Sequence, residues 1–72
     1  MNIKDEIAVY LEMTEHNGAY EVDAILDDGR RKEVVPLTSY ERALELGKES
    51  AKAISASGPT VNFINNTKRG RL

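Results

Sequence analysis

Residues 38–59 read TSYERALELGKESAKAISASGP, the one segment of this chain with a clear start, period and stop. Thr38 followed three residues later by Glu41 has the spacing of a capping box. In that motif the threonine hydroxyl accepts from a first-turn amide and the glutamate reaches back to the threonine amide. Beyond it, Tyr40, Ala43, Leu44, Gly47, Ala51 and Ile54 recur at three- and four-residue spacing and form one apolar stripe. Ser57-Gly58-Pro59 supplies the stop: glycine is suited to the left-handed cap, and proline cannot continue the helix. Gly47 costs about 1 kcal/mol relative to alanine in a helix interior, and its presence predicts close approach of the helix to a sheet.

That sheet is written on the N-terminal side. From Ile7 to Thr14, Ile7, Val9, Leu11 and Met13 alternate with Ala8, Tyr10, Glu12 and Thr14, the pattern of a half-buried strand. Asn17-Gly18 is a two-residue hairpin signal, because both positions must take positive φ. Tyr20, Val22, Ala24 and Leu26 then alternate in the returning strand. The turn pairs His16 with Ala19, Met13 with Val22, Leu11 with Ala24 and Val9 with Leu26, so both apolar rows share one face. On the other face it sets Tyr10 against Ile25, Glu12 against Asp23 and Thr14 against Glu21. That face is acidic with a small apolar spot.

A second turn at Asp27-Asp28-Gly29 leads into residues 30–37, RRKEVVPL, and two registers are open. A two-residue loop at Asp28-Gly29 pairs Asp27 with Arg30 and turns Val35 and Leu37 inward; a three-residue loop with a glycine bulge turns Val34 inward. The charge pairing favours the first. Pro36 marks the strand's end or the sheet edge. After the helix, residues 60–64 are β-branched and aromatic and read as a last strand. The expected fold is α+β: a three-stranded antiparallel meander, one helix and a short fourth strand (β-β-β-α-β), with the helix on one face. A helix between two strands implies a crossover, and placing the last strand beside the first gives the order 3-2-1-4.

Composition bounds the rest. Seventy-two residues make a single domain, near the size at which one core is barely stabilising. Residues 1–5 and 66–72 are expected as loose termini. With no cysteine and one histidine, disulfides, thiolate metal sites and His-rich clusters are excluded. No apolar run is long enough to span a bilayer and the N-terminus is polar, so the expectation is a soluble cytoplasmic protein of prokaryotic or phage origin. The net charge of −2 hides an asymmetry: residues 1–36 carry four basic and nine acidic side chains, residues 37–72 six basic and three acidic.

Tyr20-Glu21-Val22, Thr38 with Glu41 and Ala43, Ala51-Lys52, Val61-Asn62-Phe63 and Gly70-Arg71-Leu72 together carry a resemblance over about residues 13–72. In this hairpin–helix–strand pattern the chain resembles a small prokaryotic family of domains of unknown function. It departs in a longer first strand and in lacking tryptophan. The resemblance implies the fold and no chemistry. It also implies that Lys68 to Leu72 form an ordered closing turn.

No catalytic signature stands out, and the expectation is a protein that is not an enzyme, with no cofactor and no metal. His16 sits at a hairpin mouth with no second ligand or nucleophile nearby, and a base needs a positioned proton donor. Glu12 and Asp23 are expected to face solvent, without the burial that separates pKa values for acid–base work. No phosphate loop occurs. The expected function is a protein-interaction module that uses the acidic open face around Tyr10, Glu12, Asp23 and Ile25 to bind a protein partner or a second copy of itself. The alternative is nucleic-acid binding through Arg30, Arg31, Lys32, Lys68, Arg69 and Arg71, opposed by the carboxylates near that face.

Overall fold

The computed structural model describes residues 8–58 and 60–71, with only the backbone for Arg71. Residues 1–7, Pro59 and Leu72 lie outside the described residues, and with them the expectations for Ile7 and for residues 1–5. The elements are β1 (Ala8–His16), β2 (Ala19–Leu26), β3 (Arg31–Thr38), α1 (Tyr40–Ala56) and β4 (Asn62–Asn65), followed by a 3-10 turn at Arg69–Arg71. They form an α+β fold, one mixed sheet in the order β3-β2-β1-β4 with α1 packed against it. β2 is antiparallel to both β1 and β3, whereas β4 is parallel to β1. The helix therefore carries the chain from one sheet edge to the other.

The first hairpin follows the sequence. Asn17 (φ 51°) and Gly18 (φ 87°) both take the left-handed region, as a two-residue turn requires. His16 pairs with Ala19, Met13 with Val22, Leu11 with Ala24, Glu12 with Asp23 and Tyr10 with Ile25. The expectation for Val9 is corrected. A bulge between Ala8 and Tyr10 makes Ala8 the partner of Leu26, and Val9 is turned out with 49% of its surface exposed. Two residues then oppose one, so Ala8 packs toward the core in the place that strict alternation gives Val9.

The second hairpin uses the three-residue loop. Leu26 N–H donates to Arg30 O and Gly29 N–H donates to Leu26 O, both at 2.9 Å, with Gly29 at φ 90°. Arg30 thus pairs with Leu26, not with Asp27. Near the turn Arg31 faces Ile25 and Glu33 faces Asp23; a register shift then sets Val35 against Val22, and a second sets Thr38 against Tyr20. Val35 is buried as expected, but the second shift displaces Leu37, which is 54% exposed. Pro36 lies within the second shift, between Val35 and Thr38, on an edge strand where a residue without an N–H is tolerated.

The helix starts one residue later than the capping box implies. Ser39, not Thr38, is the cap: its Oγ accepts from Arg42 N–H at 3.2 Å. Thr38 remains in β3, paired with Tyr20. At the other end Gly58 does not adopt positive φ. Ser57 closes the helix instead, its N–H and Oγ both donating to Ile54 O at 3.2 Å, which removes the need for a left-handed residue. The apolar stripe is as read, with Ala43, Gly47 and Ala51 buried and Tyr40, Leu44 and Ile54 packed against the core. A Cβ built on Gly47 would overlap the Phe63 ring, so the glycine lets β4 and α1 meet.

Leu11, Met13 and Val22 are fully buried at the centre of the sheet's inner face, each worth about 1.5–3 kcal/mol by transfer from water. Tyr20 meets Tyr40 edge to face, ring centroids 5.2 Å apart. The segment after β4 is tied down, against the expectation of a loose tail. Asn66 N–H donates to Met13 O at 3.0 Å. Thr67, 3% exposed, donates through Oγ1 to Asn65 Oδ1 at 2.7 Å and accepts from Gly70 N–H at 3.1 Å. Asn65 Nδ2 reaches Tyr40 OH at 3.0 Å, and the Arg69 guanidinium lies 3.8 Å over the Tyr40 ring.

Candidate functional site

With α1 on the inner face, alternation sends Tyr10, Glu12 and Thr14 of β1, Glu21, Asp23 and Ile25 of β2, and Arg31 and Glu33 of β3 to the outer face. β4 adds Asn62 beside Tyr10 and Ile64 beside Glu12. Among the described residues no element covers this face. One cross-strand row thus reads Arg31, Ile25, Tyr10, Asn62, and the next reads Glu33, Asp23, Glu12, Ile64.

The face is less bare than its sequence suggests. Arg31 Nη2 donates to Glu12 Oε1 at 2.6 Å and Arg31 Nε donates to Asp23 Oδ2 at 3.3 Å. Since β2 lies between β3 and β1, the arginine side chain crosses the central strand. Asn66 Nδ2 donates to the second Glu12 oxygen at 2.9 Å. Glu12 therefore has both oxygens engaged, and Asp23 is only 7% exposed. This corrects the picture of a solvent-facing carboxylate pair: burial is present, and a guanidinium accompanies it. The hydrogen bonds from Arg31 and then Asn66 hold Glu12 below the usual carboxylate range despite its desolvation. The same contacts, Glu12 first, raise Arg31 above its ordinary value. Glu12 is thus held ionised by a fixed cation, and Arg31 braces it together with Asp23 across β2.

Glu21 is the contrasting carboxylate. Asp23, two residues along the same strand, raises its pKa most, followed by desolvation and by Glu33, while His16 acts in the opposite sense. His16 Nε2 lies 3.8 Å from Glu21 Oε1 and 3.0 Å from Thr14 Oγ1. Glu21 and Glu33 thus add negative charge beside Asp23, on the side away from the Arg31–Glu12 contact.

Of the sequence-derived interaction residues, the structure brings Tyr10, Glu12, Asp23 and Ile25 together on one face. The basic set is dispersed. Arg30 is held by Asp28, Nε to Oδ2 at 2.6 Å and N–H to Oδ1 at 3.0 Å, and the contact with Arg30 lowers the Asp28 pKa. Arg31 is spent on Glu12 and Asp23, and Lys32 also has a partner. Arg69 is stacked on Tyr40 with Glu41 at 3.4 Å. Lys68 is exposed and the Arg71 side chain lies outside the described residues. Sequence reasoning missed Arg31, Asn66, Ile64 and Leu37 as members of the face. The three-residue loop, had it been preferred, would have placed Arg31 opposite Ile25.

Among the described residues no group of three or more His, Cys, Asp or Glu is arranged to hold a metal ion. No helix there is long and apolar enough to cross a membrane. No family model, curated protein or solved structure matches the chain.

Proposed function

We propose that the protein is a non-enzymatic interaction module, acting in the cytoplasm of a prokaryote or of a phage-infected cell, that binds a protein through the outer face of its sheet. One observation carries this reading. The face combines Ile64 (44% exposed), Leu37, Tyr10 and Ile25 with charges fixed in place, and no described element packs on it. Side chains already immobilised lose little freedom when a partner docks, which favours binding by a surface of this kind. The nucleic-acid reading draws less support, since Arg30, Arg31, Lys32 and Arg69 already have contacts within the chain.

The test is site-specific photo-crosslinking in the native host. A photoreactive residue at Ile64 is expected to trap a protein, or a second copy of the chain. The same residue at Lys48, on the exposed side of α1, is expected to trap none. Equal capture at both positions, or none at Ile64, overturns the reading.

A further inference from the structure

Resting on the interaction reading above, we infer that the partner presents a basic segment, an arginine or lysine set beside an apolar residue, to the Glu21–Asp23–Glu33 end of the outer face. The charge balance comes first. Among the described residues four carboxylates, Glu12, Glu21, Asp23 and Glu33, share this face with a single guanidinium, that of Arg31. The protein itself shows how such a group is held there. Arg31 lies across the sheet with Nη2 on Glu12 and Nε on Asp23, the planar donor fork that carboxylates accept well.

That guanidinium engages Glu12 and Asp23 and leaves Glu21 and Glu33 beyond them. Glu33 is the cross-strand neighbour of Asp23 and Glu21 lies two residues along β2. The sole basic group on Glu21 among the described residues is His16, at 3.8 Å and half exposed. The pKa of Glu21 is raised, by Asp23 first, then by desolvation and by Glu33. A cation from outside would relieve that repulsion. Exposed apolar positions lie at both edges of the sheet: Leu37 on β3, one residue before the Tyr20 partner Thr38, and Ile64 on β4, beside Glu12 at the far end of the Glu33–Asp23–Glu12 row.

The other occupants meet a cost that a basic segment does not. A second copy would set one net-negative face against another, and like charges brought together at a drying interface disfavour association. A nucleic acid would bring phosphates to the same carboxylates.

The experiment follows amide shifts of the full-length, isotope-labelled protein. Three probes are titrated: a short alternating Arg-Leu peptide, an alternating Glu-Leu peptide of equal length, and a DNA duplex. The inference expects the Arg-Leu peptide to perturb Glu21, Asp23, Glu33 and Ile64. Glu21→Gln/Glu33→Gln should weaken it at least about ten-fold. Glu45→Gln/Glu49→Gln, which removes the same charge from the helix surface, should leave affinity unchanged. Equal loss in both double variants, preference for the acidic peptide or the duplex, or self-association in place of peptide binding each overturns it. Should crosslinking at Ile64 succeed while the Arg-Leu peptide fails to bind, the interaction reading stands and the basic partner falls.

Discussion

Arg31 and Glu12 meet at 2.6 Å across an intervening strand, so β3 and β1, which exchange no ladder bonds, are joined by a side chain. Arg31 is half exposed, whereas the side chains of Glu12 and Asp23 retain only 15% and 10% exposure. Removing the cation leaves two nearly enclosed carboxylates uncompensated. Arg31→Ala is expected to lower the unfolding free energy by about 1–3 kcal/mol. Arg31→Lys should recover part of that, because a single ammonium cannot fork between two acceptors. Urea unfolding of the two variants measures the difference; an unchanged midpoint in Arg31→Ala would show that the brace is energetically idle.

Gly47 and Phe63 set a packing limit. Alanine at Gly47 gains about 1 kcal/mol of helix propensity. It also drives a methyl group into the Phe63 ring, and overpacking of this kind costs about 1–3 kcal/mol. Gly47→Ala should therefore lower the melting temperature in the native background. In a Phe63→Leu background, with the ring gone, the same change should be neutral or stabilising. A rise in melting temperature in both backgrounds would contradict the contact.

Glu12 and Glu21 should respond to pH in opposite senses. The folded pKa of Glu12 is depressed, so its contribution is present above the unfolded value and lost as pH falls through the folded one. The folded pKa of Glu21 is raised, so between its two values the folded state holds more protons, and stability declines as pH rises through that window. Glu12→Gln should destabilise at neutral pH and lose its effect in acid. Glu21→Gln should stabilise at neutral pH by a few tenths to about 1 kcal/mol, and the gain should vanish below the ordinary carboxylate pKa of about 4.3. Denaturant unfolding across this range checks both; the same sign for the two variants would refute the assignment.

Thr67 holds the closing segment through its hydroxyl. Thr67→Val keeps the shape but leaves Gly70 N–H and Asn65 Oδ1 without their partner, at about 1–2 kcal/mol. Faster hydrogen exchange at Gly70 should accompany the loss, and Thr67→Ser should restore protection. Unchanged exchange in the valine variant would show that water or another acceptor substitutes at Gly70 N–H.

The sequence was legible wherever two local signals agreed. Asn17-Gly18 and the apolar rows of Leu11, Met13, Val22 and Ala24 specify one register jointly, and the strand order followed from the crossover. Single signals misled. Thr38 and Glu41 have capping-box spacing, but Ser39 is also a good cap, and pairing of Thr38 with Tyr20 decided between them. Leu37 looked like core by alternation, yet the register shift between Val35 and Thr38 puts Thr38 opposite Tyr20 in its place. Bulges leave no mark in a hydrophobic pattern, because they redistribute residues that individually fit either face. For the same reason the outer face could be named from sequence while its central cation could not.

β4 touches β1 across a long stretch of chain: Tyr10 pairs with Asn62 and Leu11 with Phe63. Everything else in the sheet is made by adjacent hairpins, so the parallel pair carries the largest loop-closure cost. Folding should start in the meander and finish when the last strand docks, leaving one flank of β1 open to mispairing until then. Phe63→Leu should then quicken unfolding while barely slowing folding, and a chevron showing a slowed folding limb instead would place β4 in the nucleus. On this view the last strand acts as a latch, and the time it stays open sets how long the half-formed sheet can pair with a neighbour instead of with itself.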